Sequence, residues 1–426
     1  MAMAPCFPPE IWMAVLEYAI EWNNAQVELL REMPERHALL RNTALVSRTL
    51  AHISHQLLFR EVALGVELER RVRHCNRTLT KFIAALESLT AQRDDRDLPL
   101  RVRALHVGIG ERGYIRDPSG RTVFCTGVEA GRAIELCPNL QYLDIYVGRM
   151  KEFTAAHMQF IPETVAKLAT MRHVRQLHYL LDSEIPKIVV EGILVFGFLR
   201  QLLESWTQLE TLCLVIPPDH NGDLDCPPIL SITELRLSGV PPASVFDALS
   251  VPAHPFTRLI VVQPELGNAN IGVAQFPETV TVPSGTKELH FVGDFVAYKM
   301  DLSRATILRI VSWSWKNLME PEPEALQRLV DVRLPPSVDT LIISPDFIVI
   351  AFAYGTLDYL FRMISGQLIR LSKLVLRGSS DILETYGNTR DEIEGAIAQA
   401  FLNVTVEWVE EPLYSEWTTL PRLPLR

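Results

Sequence analysis

The stretch with the strongest claim to chemistry is Gly-Ile-Gly-Glu-Arg-Gly at 108–113. It has the Gly-x-Gly-x-x-Gly spacing of a dinucleotide-binding turn and comes after a segment expected to be a strand. Such a turn needs a helix to begin at once, so that free backbone N–H groups meet the pyrophosphate. The next residues are Tyr-Ile-Arg-Asp-Pro-Ser-Gly-Arg-Thr at 114–122, where Pro118 and Gly120 mark a turn. A loop or hairpin tip is the better account. Asp219, Asn221 and Asp223 take the first, third and fifth places of a calcium loop, but Leu224 stands where the glycine belongs and Leu230 where the bidentate glutamate belongs. That segment reads as a solvated acidic loop. His52 and His55 fall three apart on an expected helix, with no Cys or His nearby to complete a metal set. His106, His178 and His290 each come directly after the central leucine of a recurring strand motif, so they share a face. They belong to different strands, spaced about 4.8 Å, so even the nearest two lie roughly 10 Å apart and cannot ligate one ion. No Gly-x-Ser-x-Gly elbow, phosphate loop or His-Glu-x-x-His helix is present. The sequence predicts no cofactor, no metal and no local catalytic set. An enzyme whose site is assembled from distant residues stays open, and would show a deep pocket with convergent polar groups.

If the chain is not built around a reaction, its elements must position something else. At 426 residues it is too long for one ordinary core, and points to two or more units or one elongated one. Its 48% hydrophobic and 22% charged residues are those of a folded chain. The net charge of −10 repels phosphate backbones and acidic membrane surfaces, so nucleic acid is excluded as a main partner. Six cysteines, Cys6, Cys75, Cys125, Cys137, Cys213 and Cys226, have no close pairing and suit a reducing compartment. The N-terminus lacks the basic region and apolar run of a signal peptide. The apolar runs at 188–199 and 342–361 are too short to span a bilayer or are broken by Asp346 and Asp358. The expectation is a soluble protein of the cytoplasm or nucleus, with no membrane partner.

The strongest regularity is an apolar-x-x-Leu-x-apolar motif. Its central leucines are Leu105, Leu143, Leu177, Leu212, Leu235, Leu259, Leu289, Leu308, Leu341 and Leu374, at spacings from 19 to 38 residues. The Leu and the apolar residue two places on share one face, as strand alternation requires. Some copies are preceded by a helical stretch, such as 197–208, where Phe198, Leu202 and Trp206 recur every four residues. Strand plus returning helix, repeated, describes a solenoid. The pattern resembles the leucine-rich repeat family over roughly 100–410, with Cys-Pro-Asn-Leu-Gln-Tyr-Leu-Asp-Ile at 137–145 the copy most like it. The asparagine that family carries after the strand is missing here. An ordinary α/β domain with similar strands is the alternative.

Ahead of this body stands a small apolar helical unit. Pro9 suits the first turn of a helix and Glu10 complements its positive end. Ile11, Val15 and Ala19 make a stripe with Trp12 and Leu16 beside it, and a second helix is expected to carry Val46, Leu50, Ile53 and Leu57. Residues 58–64 read as an extended exit. So small a unit cannot bury all these side chains within itself, which implies a partner surface. Phe7-Pro8-Pro9-Glu10-Ile11-Trp12, with Val15 and Leu16, resembles the Leu-Pro-x-Glu-Ile opening of the F-box, and Leu45-Val46-Ser47-Arg48 resembles its second-helix segment. The form is that of fungal F-box-like proteins. Phe7 replaces the opening Leu, Leu50 the usual Trp, and 21–37 lengthens the first connection. A helical cap on the first repeat is the alternative.

The expected fold is α/β: an F-box-like helical module at 1–64, a connecting helix and linker at 65–100, an irregular leucine-rich-repeat-like solenoid at 101–410 and a tail at 411–426. Together the two resemblances imply a substrate-recognition subunit of a cullin-based (SCF-type) ubiquitin ligase. Pro8, Pro9, Ile11, Leu45, Val46 and Leu50 would dock on a Skp-type adaptor, and the chemistry would lie in other subunits. The positions flanking the central leucines form the opposite sheet face, expected to be open and to hold a protein substrate through Tyr142, Asp144, His178, Glu234, Arg236, His290, Arg309 and Trp313. Trp313 and Trp315 beside Arg309 have the composition of a binding hot spot, and packing beneath the loop at 319–325 is the alternative. A repeat-type binding scaffold with no ligase connection is the second reading, and would pack 1–64 wholly against 65–130.

Overall fold

The computed structural model describes residues 8–24, 38–64, 75–91, 98–109, 126–147, 160–181, 196–215, 231–238, 256–262, 280–281, 286–292, 300–301, 306–312, 336–343, 364–378, 390–401 and 403–410. They fall into two compact units, one within Met1–Leu209 and one within Glu210–Leu413. The helical module lies in the first unit together with the first strands.

The first unit opens with α1 (Pro9–Asn24), α2 (38–44) and α3 (Arg48–Arg60), and α3 runs directly into β1 (Glu61–Leu64). The sequence placed Val46 on the second helix. Instead Ser47 is the N-cap of α3, its hydroxyl accepting from Leu50 N at 3.1 Å, so Val46 precedes the helix. A side-chain oxygen at that position satisfies one of the unpaired N–H groups of the first turn, which fixes where the helix starts. Leu16, Leu40, Leu50, Ile53 and Leu57 form the module's small core, with Trp12, Met13 and Leu58 packed on it.

Next along the first unit come α4 (Cys75–Ala91), α5 (Leu98–Arg101), β2 (Ala104–Ile109), α6 (Gly127–Glu135), β3 (Tyr142–Val147), α7 (Pro162–Leu168), β4 (Gln176–Leu181) and α8 (Phe196–Ser205). Strands β1 to β4 pair in chain order and parallel. Parallel neighbours need a crossover, and helices supply it here. Helix α6 starts on a capping box in which Thr126 and Glu129 satisfy each other's backbone. It runs so close to α7 that a Cβ on Gly131 would meet Thr164 Cγ2 at 2.6 Å. Trp206 is wholly buried and donates from Nε1 to the Leu168 carbonyl at 3.0 Å, fastening the end of α8 to α7.

The second unit carries β5 (Thr211–Val215), β6 (Glu234–Ser238), β7 (Arg258–Val262), β8 (Glu288–Val292), β9 (Ile307–Ser312), β10 (Thr340–Ile343), β11 (Lys373–Gly378), α9 (Arg390–Ala400) and β12 (Thr405–Glu410). These strands also pair in chain order and parallel. Val280–Thr281 and Met300–Asp301 make a separate two-stranded pairing.

The recurring motif has a backbone counterpart. The Arg103 carbonyl accepts from the N–H groups of both Gln141 and Tyr142, and the Gln141 carbonyl from Arg175 and Gln176. In the second unit Glu210, Thr233, Thr257, Lys287, Thr306 and Asp339 do the same for the next strand. The hydroxyls of Thr233, Thr257 and Thr306 reach back to the preceding carbonyl in that series. This shared geometry holds each strand entry at one register, so the leucines align: Leu105 with Leu143 and Leu177, Leu212 with Leu235 and Leu259, Leu308 with Leu289 and Leu341, and Leu341 with Leu374. Leu143, Leu212, Leu235 and Leu374 are buried, as are Val102, Leu140, Val174, Ile232, Phe256 and Val338 at the motif's first position. The described chain is thus α/β with parallel strands laid down in chain order. Among the described residues no helix is long and apolar enough to cross a membrane.

Candidate functional site

Two features merit a functional reading, one on the helical module and one on the strand face away from the leucines. On the module, Pro8, Pro9, Ile11, Val15, Leu39, Leu45 and Val46 are exposed. The cause is local. Helix α2 stops at 44, and a turn in which Leu45 and Val46 donate to the carbonyls of Asn42 and Thr43 carries both side chains outward before Ser47 starts α3. Leu45 is 86% exposed and Val46 72%. Ile11 and Val15, four apart on α1, are about half exposed, while Leu16 on the same helix enters the core. Among the described residues these exposed large apolar side chains lie together on one small unit. Leu50, expected at that surface, is corrected: it is 8% exposed and faces the module's own core. Leu39 was missed, since the helix at 38–44 comes after a polar stretch that hid its apolar pair with Leu40.

On the strand face the register brings the expected residues into rows. In the first unit Ala104, Tyr142 and Gln176 align, and two residues on so do Ala63, His106, Asp144 and His178. His106 Nε2 lies 3.1 Å from Glu61 Oε1, and its Nδ1 lies 3.0 Å from Asp144 Oδ2. The Tyr142 hydroxyl is 2.9 Å from His178 Nδ1, and the Tyr142 ring lies between the His106 and His178 rings at centroid distances of 5.2 and 5.1 Å. In the second unit the Arg236 guanidinium donates from Nε to Glu234, and Arg258 bridges Glu234 at 3.0 Å and Glu288 at 2.9 Å. Burial pulls against the charge on Arg258, but the Glu288 and Glu234 carboxylates outweigh it and raise its pKa.

The expectation of an open face is corrected for three of these residues. Tyr142, His178 and Arg236 are buried, with Arg236 only 1% exposed. Hydrogen bonding and ring packing along the rows turn these side chains toward one another. Asp144 and Glu234 are half-buried. His290 and Arg309 hold adjacent places in one backbone row, but their side chains, with all of Trp313, Trp315, 219–225 and 319–325, lie outside the described residues. Glu61 joins this cluster through a strand read only as an extended exit, and Arg258 is a further flanking charge, directly before the central Leu259. Parity along Glu61-Val62-Ala63 and Arg258-Leu259-Ile260 is the signal that finds both.

Among the described residues no group of three His, Cys, Asp or Glu is placed to hold a metal ion. Burial pushes the Cys137 thiol up to about 12. That leaves it neutral and inert near neutral pH.

No family model matches the chain. No curated protein matches it either. Among solved structures, a structural-genomics protein from Bacteroides fragilis is similar at 10% identity over 80% of this chain and 84% of that one, with a TM-score of 0.34. A likeness at that level carries no argument.

Proposed function

We propose that the chain is the substrate-recognition subunit of a cullin-based (SCF-type) ubiquitin ligase, in which the helical module docks on a Skp-type adaptor and a leucine-rich-repeat-like body binds the protein to be modified. The observation that carries the reading is the exposure of Ile11, Val15, Leu45 and Val46 over a module whose core is already filled by Leu16, Leu40, Leu50, Ile53 and Leu57. A helical cap would turn those side chains inward. Here the motif residues divide into a set that builds the module and a set that stands in solvent, which is what an adaptor-docking surface requires. Strands recurring in chain order with one shared entry geometry support the repeat body. Such a receptor works by raising the local concentration of substrate beside the ubiquitin carrier, and needs no catalytic residue of its own. The repeat-type scaffold without ligase connection shares the body and differs only in what meets the module.

Co-expression with a Skp-type adaptor tests the proposal. A stable complex should form and Ile11→Asp should abolish it without lowering the melting temperature, because Ile11 is 47% exposed and has no core role to lose. A complex that survives Ile11→Asp removes Ile11 from the contact, while no complex with the parent chain, or binding unchanged when 1–64 is removed, removes the ligase reading and leaves the scaffold.

A further inference from the structure

The second unit's strands end on β12, which pairs with β11 and, among the described residues, with no strand beyond it. The Thr405 N–H donates to the Ser372 carbonyl at 2.9 Å, and this fixes which half of the β12 backbone is used. In a parallel pair it is alternate residues that bond the neighbour. Thr405, Glu407 and Val409 therefore face β11, and the N–H and C=O groups of Val406 and Trp408 point away from it. The side chains of these two residues lie on the core side, Val406 level with Leu374 and Leu341, and Trp408 level with Leu376 and Ile343. Those four neighbours are buried, whereas Val406 and Trp408 are only half-buried. The same two residues thus lack both a backbone partner and full apolar cover.

Folded proteins commonly guard such an edge with proline, a bulge or a covering element. Residues 405–410, Thr-Val-Glu-Trp-Val-Glu, hold no proline and keep one register with β11 throughout. Helix α9 fixes the edge from the core side: Trp408 donates from Nε1 to Glu394 Oε1 at 2.7 Å, and the Arg390 guanidinium lies 5.1 Å over the Trp408 ring. On the other side of the strand Glu407 is half exposed and paired with Lys373. Asp391, Glu392, Glu394, Glu407 and Glu410 make α9 and β12 acidic, against Arg390 alone.

We propose that the outer edge of β12 takes up an extended segment of a partner protein, with lysine or arginine alternating with apolar residues, as an added strand. The segment's main chain meets the outward groups of Val406 and Trp408, and its apolar side chains complete their cover. Its basic side chains lie on the Glu407 side, where the charge is complementary. A second copy of this chain fits less well, because it would set one acidic strand against another. The edge works in the same way whatever the helical module docks on.

A fluorescently labelled peptide of alternating lysine and valine, titrated with the full chain and followed by anisotropy, tests the proposal. It should bind saturably, and exchange of the Val406 and Trp408 amides should slow about tenfold or more in the complex. The same peptide N-methylated at the residues that would pair with the edge keeps its charge and side chains, and should bind at least about tenfold more weakly. Val406→Pro removes one outward N–H without touching a bond to β11, and should weaken the parent peptide similarly. Absence of saturable binding, or equal binding by the N-methylated peptide, overturns the added strand. If Val406→Pro fails to fold, the N-methylated peptide decides alone. A parent chain that sediments as a dimer, with Val406→Pro a monomer, gives the edge to a second copy and overturns the proposal as well.

Discussion

Leu45 and Leu50 lie five residues apart in one motif segment, and the structure gives them opposite jobs that a pair of alanine substitutions separates. Leu45 is 86% exposed, so almost all its apolar surface is available to be covered by a partner. Full burial of a leucine side chain is worth about 1.5–3 kcal/mol. Taking about 2 kcal/mol, Leu45→Ala should weaken adaptor binding roughly thirtyfold, at 1.4 kcal/mol per factor of ten. Its effect on folding should stay within about 0.5 kcal/mol, the range for exposed sites. Leu50 is already covered by Leu16, Leu40 and Ile53. Leu50→Ala should therefore cost about 2–5 kcal/mol of module stability through the cavity it leaves, and should reach binding only by unfolding the module. The assay is calorimetric titration with a purified Skp-type adaptor beside thermal denaturation of each variant alone. Affinity within a factor of two of the parent for Leu45→Ala would refute the docking surface. A melting temperature lowered as far by Leu45→Ala as by Leu50→Ala would refute the division of roles.

Three further outcomes test the body. Thr286 holds the first motif position, buried in the other described copies as Val, Leu, Ile or Phe, and its Oγ1 has no hydrogen-bond partner, so Thr286→Val should stabilise the chain by about 1 kcal/mol in urea denaturation; destabilisation would show that the hydroxyl is matched. Glu234 holds two guanidinium groups, one of them the buried Arg236, and Glu234→Ala should destabilise by about 3–5 kcal/mol because it leaves Arg236 buried and unpaired, whereas a neutral result would mean that water already solvates it. Burial pulls the Glu135 carboxyl up, but the Thr164 hydroxyl, Lys167 and Arg132 outweigh it and hold its pKa below the usual value, so its contribution is complete above the unfolded carboxyl range and is lost as pH falls through the folded value; Glu135→Gln should flatten the acid limb of the stability profile, and an unchanged limb would assign that limb to other carboxylates.

The strand repeat was legible because burial acts on it twice in most described copies. A leucine at the fourth place and an apolar residue at the first both meet the core there, and each of the ten central leucines falls on a described strand. The strands without a leucine at that place escaped the motif: β1, read as an extended exit from 58 where the helix in fact runs to Arg60, has Val62, and β12 has Val406, in the matching register. Helix α2 was hidden for a related reason, since seven residues offer too few turns to show a period.

The face opposite the leucines was legible only as an address. Alternation gives the parity of His106, Asp144 and His178, yet parity says which side a residue points to and nothing about what stands beside it. Whether such a residue is open to a partner is decided by diagonal neighbours on adjacent strands, and those depend on register. Glu61 reaches His106 because it stands opposite the small Ala104, two residues before His106 on the next strand, and Arg236 is held because Glu234 precedes it by two. Charges that look like a recognition surface when strands are read one at a time become internal pairs when the strands are laid side by side. The turn at Leu45 and Val46 escapes this ambiguity, because among the described residues both apolar side chains stand exposed once Ser47 has fixed the start of α3. That is why the proposed function rests on the exposed apolar set of the module and not on the strand face.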